Sequence, residues 1–202
     1  MIRRRIGRTA GSSLRSTLRR DYDANNSGKR ALVILGIHRL GNAVYYSESM
    51  GPFRAFALAI LNLCNQFLVF YPLGIEIPFS CKIGPGLRLP HQHGIVFQGA
   101  TELGEDVTVY HQVTLGENER SGERGGPIVG DRVYIGAGAK IIGRVIVGDD
   151  ATVGANAVVV MSVERGATVI CRQETLASEG QPQVKGNRTP GGAETISASD
   201  LS

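Results

Sequence analysis

The stretch VGDRVYIGAGAKIIGRVIVGDDATVGANAVV, residues 129–159, decides the fold. An aliphatic side chain returns every six residues, at Val129, Ile135, Ile141, Val147, Val153 and Val159, and glycine follows directly at Gly130, Gly136, Gly148 and Gly154. Neither the 3.6-residue period of a helix nor the two-residue period of an ordinary strand gives that spacing. A fixed period of this kind marks a parallel β-helix, in which each hexapeptide makes one short strand and one turn and three make a coil. Coils pair through their backbones, so the repeated aliphatic side chain points inward and stacks into a core column. Glycine suits the tight corner, where a side chain would crowd the backbone.

The same frame runs backward through Leu115-Gly116, Val109 and Leu103-Gly104, and beyond a slip of two residues through Ile95, Leu89 and Ile83-Gly84. The frame places that slip between Ile95 and Leu103. A larger break, Glu117–Ile128, separates Leu115 from Val129; its charged residues and glycines suit a mobile polar lid over a cleft, with a solvated surface excursion of no catalytic part as the alternative.

Three regions follow: a basic arm and helices at 1–74, the β-helix at 75–170, and a tail at 171–202 that is expected to be disordered. In the first region, Lys29 to Tyr46 carries Leu32, Leu35, Leu40 and Val44 at mostly helical spacing. An apolar run from Ala55 to Tyr71 comes next, with Asn62, Asn65 and Gln66 on one helical face and Pro72 at its end. It reads as an amphipathic helix packed on the β-helix or on a neighbouring subunit, with peripheral membrane contact as the alternative. The tail is rich in Gly, Ser, Thr, Pro and Gln and has no aromatic residue.

The chain has 202 residues, 27 of them Gly, with no Trp and 6% aromatics, as a solenoid of small and β-branched residues requires. Its formal charge of +4 is local, because Arg3, Arg4, Arg5, Arg8, Arg15, Arg19 and Arg20 all precede the first acid, Asp21. Without those seven, fifteen basic residues face eighteen acidic ones. The arm suits contact with a phospholipid surface, although a solvated terminus is the simpler reading, and no nucleic-acid partner is expected. No apolar segment with a small-residue cleavage site follows the arginines, so no secretory or twin-arginine signal is read. Cys64, Cys81 and Cys171 form neither an even disulfide framework nor a metal pair, which points to free thiols in a cytoplasmic protein.

The chemistry gathers between Glu76 and Lys140. His91 and His93 stand in Leu89-Pro90-His91-Gln92-His93-Gly94, and His111 follows twenty residues after His91. Residues about eighteen apart lie on the same face of successive coils, so the slip of two brings His91 and His111 roughly into register. Glu76, fifteen residues before His91, is expected nearby. A carboxylate beside an imidazole is the arrangement of a general base. Three histidines also suit a metal, but no cysteine or carboxylate completes a ligand set at regular spacing, and no metal is expected. Structural roles for His91 and His111 stay open at this point. Cys81 has no base at motif spacing, so a covalent acyl-enzyme is not expected.

Together, Gly74-Ile75-Glu76-Ile77-Pro78, Lys82-Ile83-Gly84-Pro85-Gly86-Leu87, His91, Gly94-Ile95-Val96, Val113-Thr114-Leu115-Gly116 and Ile135-Gly136-Ala137-Gly138-Ala139-Lys140-Ile141-Ile142-Gly143 resemble the serine acetyltransferase family over about half of the chain. The resemblance implies a left-handed β-helix and a homotrimer with acetyl-CoA between neighbouring β-helices. It implies His91 as the base that deprotonates the acceptor hydroxyl and Glu76 as the acid that orients it. Pro90, His93, His111 and Arg124 would lie at the acceptor. Gly116, Gly138, Ala139, Lys140 and Ala157 would line the groove for acetyl-CoA.

Two departures bear on the acceptor. Pro90 replaces an aspartate that in the family helps hold the serine amino group, and Arg124-Gly125-Gly126-Pro127 replaces an Arg-His-Pro motif. The N-terminal region, with Asp23-Ala24-Asn25, Lys29-Arg30 and Arg39-Leu40-Gly41-Asn42, is more similar to exopolysaccharide acetyltransferases of the colanic-acid type. The reading is therefore an acetyl-CoA-dependent O-acetyltransferase acting on a small-molecule or glycan hydroxyl, with a sugar expected. Serine O-acetylation is the alternative, and a non-catalytic scaffold the second.

Overall fold

The computed structural model describes residues 13–26, 28–51, 53–118 and 125–171. Arg3 to Arg8, Arg120, Arg124 and the tail from Arg172 lie outside the described residues. Among the described residues, three helices precede the repeats. The first, α1 (Leu14–Ala24), starts at Ser13, whose hydroxyl accepts from the Ser16 N–H. The second and third are α2 (Lys29–Tyr45) and α3 (Phe53–Asn65). The helical path continues from α3 through a π-helical turn, Gln66–Phe70, and a last turn, Tyr71–Leu73, to Gly74 at φ 61°. Periodicity signals α2 and α3. It does not signal α1, whose arginines read as part of an arm.

Among the described residues, twelve strands of two or three residues follow. They are β1 (Lys82–Ile83), β2 (Val96–Phe97), β3 (Glu102–Leu103), β4 (Thr108–Val109), β5 (Thr114–Gly116), β6 (Ile128–Val129), β7 (Tyr134–Ile135), β8 (Lys140–Ile142), β9 (Ile146–Val147), β10 (Thr152–Val153), β11 (Val158–Val159) and β12 (Thr168–Val169). They form three parallel sheets in the orders β1-β3-β6-β9, β2-β5-β8-β11 and β4-β7-β10-β12. The chain visits the sheets in rotation, and single bridges, Glu76 to Val96, Arg88 to Thr108 and Val147 to Val163, complete the first and last coils. The inward column is fully buried, from Leu89 and Leu103 through Leu115, Val129, Ile135 and Ile141 to Val153. Glycine is required behind it: a Cβ on Gly136 would stand 2.6 Å from the Ala155 nitrogen of the next coil.

The register corrects the position of the slip. Ile83 pairs with Leu103 and Arg88 with Thr108, twenty residues apart, whereas Phe97 pairs with Leu115, eighteen apart. The two extra residues therefore fall between Leu89 and Phe97, earlier than the frame placed them. Phe97 holds the column position, and Ile95 takes the inward corner place that Val113 takes one coil later. The enlarged corner is His91-Gln92-His93-Gly94. The next coil turns at His111-Gln112, with Gln112 at φ 58° where the first has Gly94 at φ 62°, and the Gln112 N–H donates to the His93 carbonyl.

A β-helix ends in an open edge of backbone groups, and here the helices cover the first coil. Asp21 of α1 is fully buried; its carboxylate accepts from the Gly86 and Leu87 N–H groups and from the Arg39 guanidinium at 2.9 Å. Arg39 of α2 in turn donates to the Ile83 and Gly84 carbonyls. Asn25 donates to the Leu87 carbonyl and accepts from the Leu89 N–H, both at 2.8 Å. Asn42 donates to the Phe79 and Cys81 carbonyls. Removing one partner of a buried pair such as Asp21–Arg39 costs about 3–5 kcal/mol, because the other charge stays behind without a counter-charge.

In the single chain the apolar helix leaves much of its apolar surface uncovered. Asn62, Asn65 and Gln66 face a depression lined also by Glu76, Pro78 and Phe79. Phe53, Phe56, Leu63 and Phe67 are all more than half exposed, and Val69 alone of this segment is buried in the core. By length and composition Phe53–Leu73 could cross a membrane.

His38 also belongs to the cap. Its ring is buried, with Nε2 3.2 Å from the Pro78 carbonyl oxygen, and burial, aided by the neighbouring Arg39 charge, pushes its pKa from 6.5 down to about 3. The unfolded chain takes up this proton first, so stability is full above about pH 6.5 and falls as pH drops toward about 3. By pH 5 the loss is roughly 2 kcal/mol. Urea midpoints measured from pH 7 to pH 5 should fall more steeply for the natural protein than for His38→Gln; parallel curves would contradict this.

Candidate functional site

The enlarged corner carries His91 out of the coil. Its ring is exposed, at 5.7 Å between centroids from Tyr110 and 5.6 Å from His111, the latter edge-on at 83°. Register brings His91 and His111 roughly together on successive coils, and in the structure their rings meet edge-on. His111 is half-buried, and its Nδ1 is buried without a hydrogen-bond partner. Tyr110 stands 5.3 Å from Tyr134, and a side-chain hydrogen bond between them is the main reason that the Tyr134 hydroxyl titrates above its ordinary range. The imidazole thus sits on a shelf of rings.

A depression of about 520 Å³ opens at this corner, lined by Arg30, Pro90, His91, Gln92, His93 and His111. Four of these lie in the quoted motif and a fifth is in register with it. Arg30 comes from α2, sixty residues away, and only the docking of the cap brings it here. Two anchors hold the corner: the Leu89 N–H on Asn25 and the Gly94 N–H on the Leu73 carbonyl.

Glu76 lies elsewhere. Its backbone pairs with Ile95 and Phe97, but its exposed side chain lines the depression beside α3, and no hydrogen bond joins it to His91 among the described contacts. The spacing of fifteen predicts proximity; the sheet pairing sets Glu76 opposite Val96, on the strand beyond the corner.

At the expected groove, Ala139 and Ala157 turn their methyl groups into the core. Their N–H groups donate to Gly136 and Gly154, and the Gly138 N–H donates to the His111 carbonyl. What these residues offer a ligand is therefore an outer surface without side chains. A Cβ at Gly138 would meet Asn156 Oδ1 at 2.1 Å, and one at Gly116 would meet Ile142 Cδ1 at 3.0 Å. Lys140 donates its ammonium to the Gln112 carbonyl.

The base of the long excursion is clamped by Glu117, which accepts from Gln98 Nε2 at 2.9 Å and from the Gly125 N–H at 2.8 Å. Gly126 has no room for a side chain, since a Cβ would lie 2.9 Å from both Gln98 Oε1 and the Thr101 nitrogen. The absence of histidine there is thus built into the packing. Burial pushes the Cys81 thiol up to about 12, so it is no nucleophile near neutral pH. Among the described residues no three His, Cys, Asp or Glu side chains gather as a metal site.

Comparison with known proteins places this geometry. Residues 126–160 match the bacterial transferase hexapeptide family, described as six repeats. A serine acetyltransferase of Helicobacter pylori is 39% identical over 163 residues, which cover 78% of this chain and 90% of the relative. Among solved structures, a serine acetyltransferase of Neisseria gonorrhoeae in complex with serine superposes with a TM-score of 0.62 at 27% identity, over 79% of this chain. Isoform 3 from Entamoeba histolytica, in complex with cysteine, does so with a TM-score of 0.67 at 22% identity, over 83%. The chain spans 65% and 62% of those two crystallised chains. The hexapeptide match and the shared fold imply a left-handed sense for the β-helix.

Proposed function

This chain belongs to the serine acetyltransferase family, and on that premise we propose that it transfers an acetyl group from acetyl-CoA to the hydroxyl of L-serine. The observation that carries the reading is the exposed His91 ring, held over His111 and Tyr110 at the mouth of a depression that also holds a permanent cation. The sugar acceptor expected from the N-terminal region gives way to serine. Asn25, Arg39 and Asn42, which suggested the exopolysaccharide branch, bind the backbone of the first coil. They report how a short helical region docks, and they say nothing of the acceptor.

His91 takes the proton of the serine hydroxyl as that oxygen forms its bond to the acetyl carbon. The carbon–sulfur bond of the thioester breaks, and the proton passes to the departing thiolate. Acetyl-CoA supplies the activated carbonyl. General-base help of this kind is worth about 10²–10⁴ in rate, and holding two substrates in one cleft supplies much of the rest. Glu76 has an exposed carboxylate on the coil below, opposite Val96, and no hydrogen bond joins it to His91 in the single chain, so no step is assigned to it.

The donor groove takes two β-helices, so the working form is a homotrimer. The outward apolar face of α3 and of the π-helical turn that follows it, with Phe53, Phe56, Leu63 and Phe67, is the surface that such an assembly would cover. Light scattering at micromolar concentration should return three times the chain mass. An active monomer would contradict the assembly, and aggregation relieved only by detergent would assign the face to a membrane.

Release of free CoA thiol on addition of L-serine tests the activity, and His91→Ala tests the base. The variant should lose about 10²-fold or more in kcat with little change in the KM for acetyl-CoA. A loss of only a few-fold would remove His91 from the role.

A further inference from the structure

L-serine carries its carboxylate on the carbon next to the one that bears the hydroxyl. A serine whose hydroxyl meets His91 must therefore place that carboxylate within one small molecule's length of the imidazole, inside the same depression. Of the six residues that line it, Arg30 is the one with a permanent charge. Other arginines of this chain are spent on structure: Arg20 pairs with Glu105 and Asp106, Arg39 with Asp21, and Arg132 and Arg165 with Asp150. Arg30 has no such partner among the described contacts, and the first turn of α2 contains no acidic residue to neutralise it. A guanidinium offers two parallel N–H donors that match a carboxylate.

We propose that Arg30 binds the carboxylate of the amino-acid acceptor, so that the helical cap, and not the β-helix alone, selects serine over neutral hydroxyl compounds. The inference rests on the serine reading above. Arg30 sits near the start of a helix fixed to the first coil through Arg39 and Asn42, so its place relative to His91 is set by the same contacts that seal the coil. Pro90 brings no charge to the site, and among the described residues that line the depression none carries a carboxylate for the amino group, which leaves the acceptor's own carboxylate as the charged group that this lining can read. Arg30 positions the acceptor and takes no part in proton transfer.

The test compares the natural protein with Arg30→Ala and Arg30→Lys on three readouts: the KM for L-serine, the KM for acetyl-CoA, and turnover of serinamide, which keeps the hydroxyl and the amino group but lacks the carboxylate. Arg30→Ala should raise the serine KM about tenfold or more, the size expected for a hydrogen bond to a charged group. It should leave the acetyl-CoA KM and the serinamide rate within about twofold, the ordinary scatter of such comparisons. Arg30→Lys should recover part of the serine KM. Because Arg30 is exposed and unpaired, the variants should melt with the natural protein, and a melting curve checks that they fold. Equal losses on serine and serinamide, or no loss on either, would overturn the proposal. A rise confined to the acetyl-CoA KM would also overturn it and move Arg30 to the donor's phosphates. If the natural protein transfers acetyl to another hydroxyl but not to L-serine, the serine reading fails, and this inference fails with it.

Discussion

The buried contact of Asp21 with Arg39 and with the Gly86 and Leu87 N–H groups is the point on which the rest of the structure depends. A β-helix solves its backbone hydrogen bonding coil against coil, which leaves the first coil with one edge unsatisfied. Water could satisfy that edge, but an exposed row of backbone groups invites pairing with other chains. Here two short helices supply carboxylate, guanidinium and amide groups at the positions where the missing coil's backbone would stand. The arrangement is costly to break, since a buried carboxylate and a buried guanidinium each need the other.

The same cap holds the corner that carries His91. His91 lies two residues after Leu89, whose N–H is held by Asn25, and three before Gly94, whose N–H is held by the Leu73 carbonyl. Between those anchors the two extra residues have nowhere to go except outward, so the corner projects and exposes its histidines. A regular coil would turn at this point as the next one does at His111-Gln112. The insertion converts a structural corner into a presented imidazole, and α2 brings Arg30 to its side.

How much of this was legible depended on whether the signal was local. The six-residue period announced the coils, the three sheets and the inward column, because each hexapeptide repeats the same local problem. The closeness of His91 to His111 followed from counting within that frame. The exact seat of the slip did not: Ile95 and Phe97 are both apolar and both buried, and pairing partners, not side-chain type, distinguish the column from the corner. Arg30 at the site was out of reach for a different reason, since sixty residues separate it from His91. Asn25, Arg39 and Asn42 were legible as a pattern but not as contacts, and polar residues that cap a coil look in sequence like residues that bind a substrate. For Glu76 the spacing predicts proximity to His91, and no hydrogen bond joins the two among the described contacts.

The acceptor remains the claim on which the functional account stands. Relatives named for serine and a depression whose described lining includes Arg30 favour it, while the presented imidazole would serve any hydroxyl. A competition experiment addresses it most directly: the protein is given acetyl-CoA with an equimolar mixture of L-serine and neutral sugar hydroxyl acceptors, and the acetylated products are identified by mass spectrometry. The account predicts O-acetylserine as the main product. Acetylated sugar in excess over O-acetylserine would contradict it.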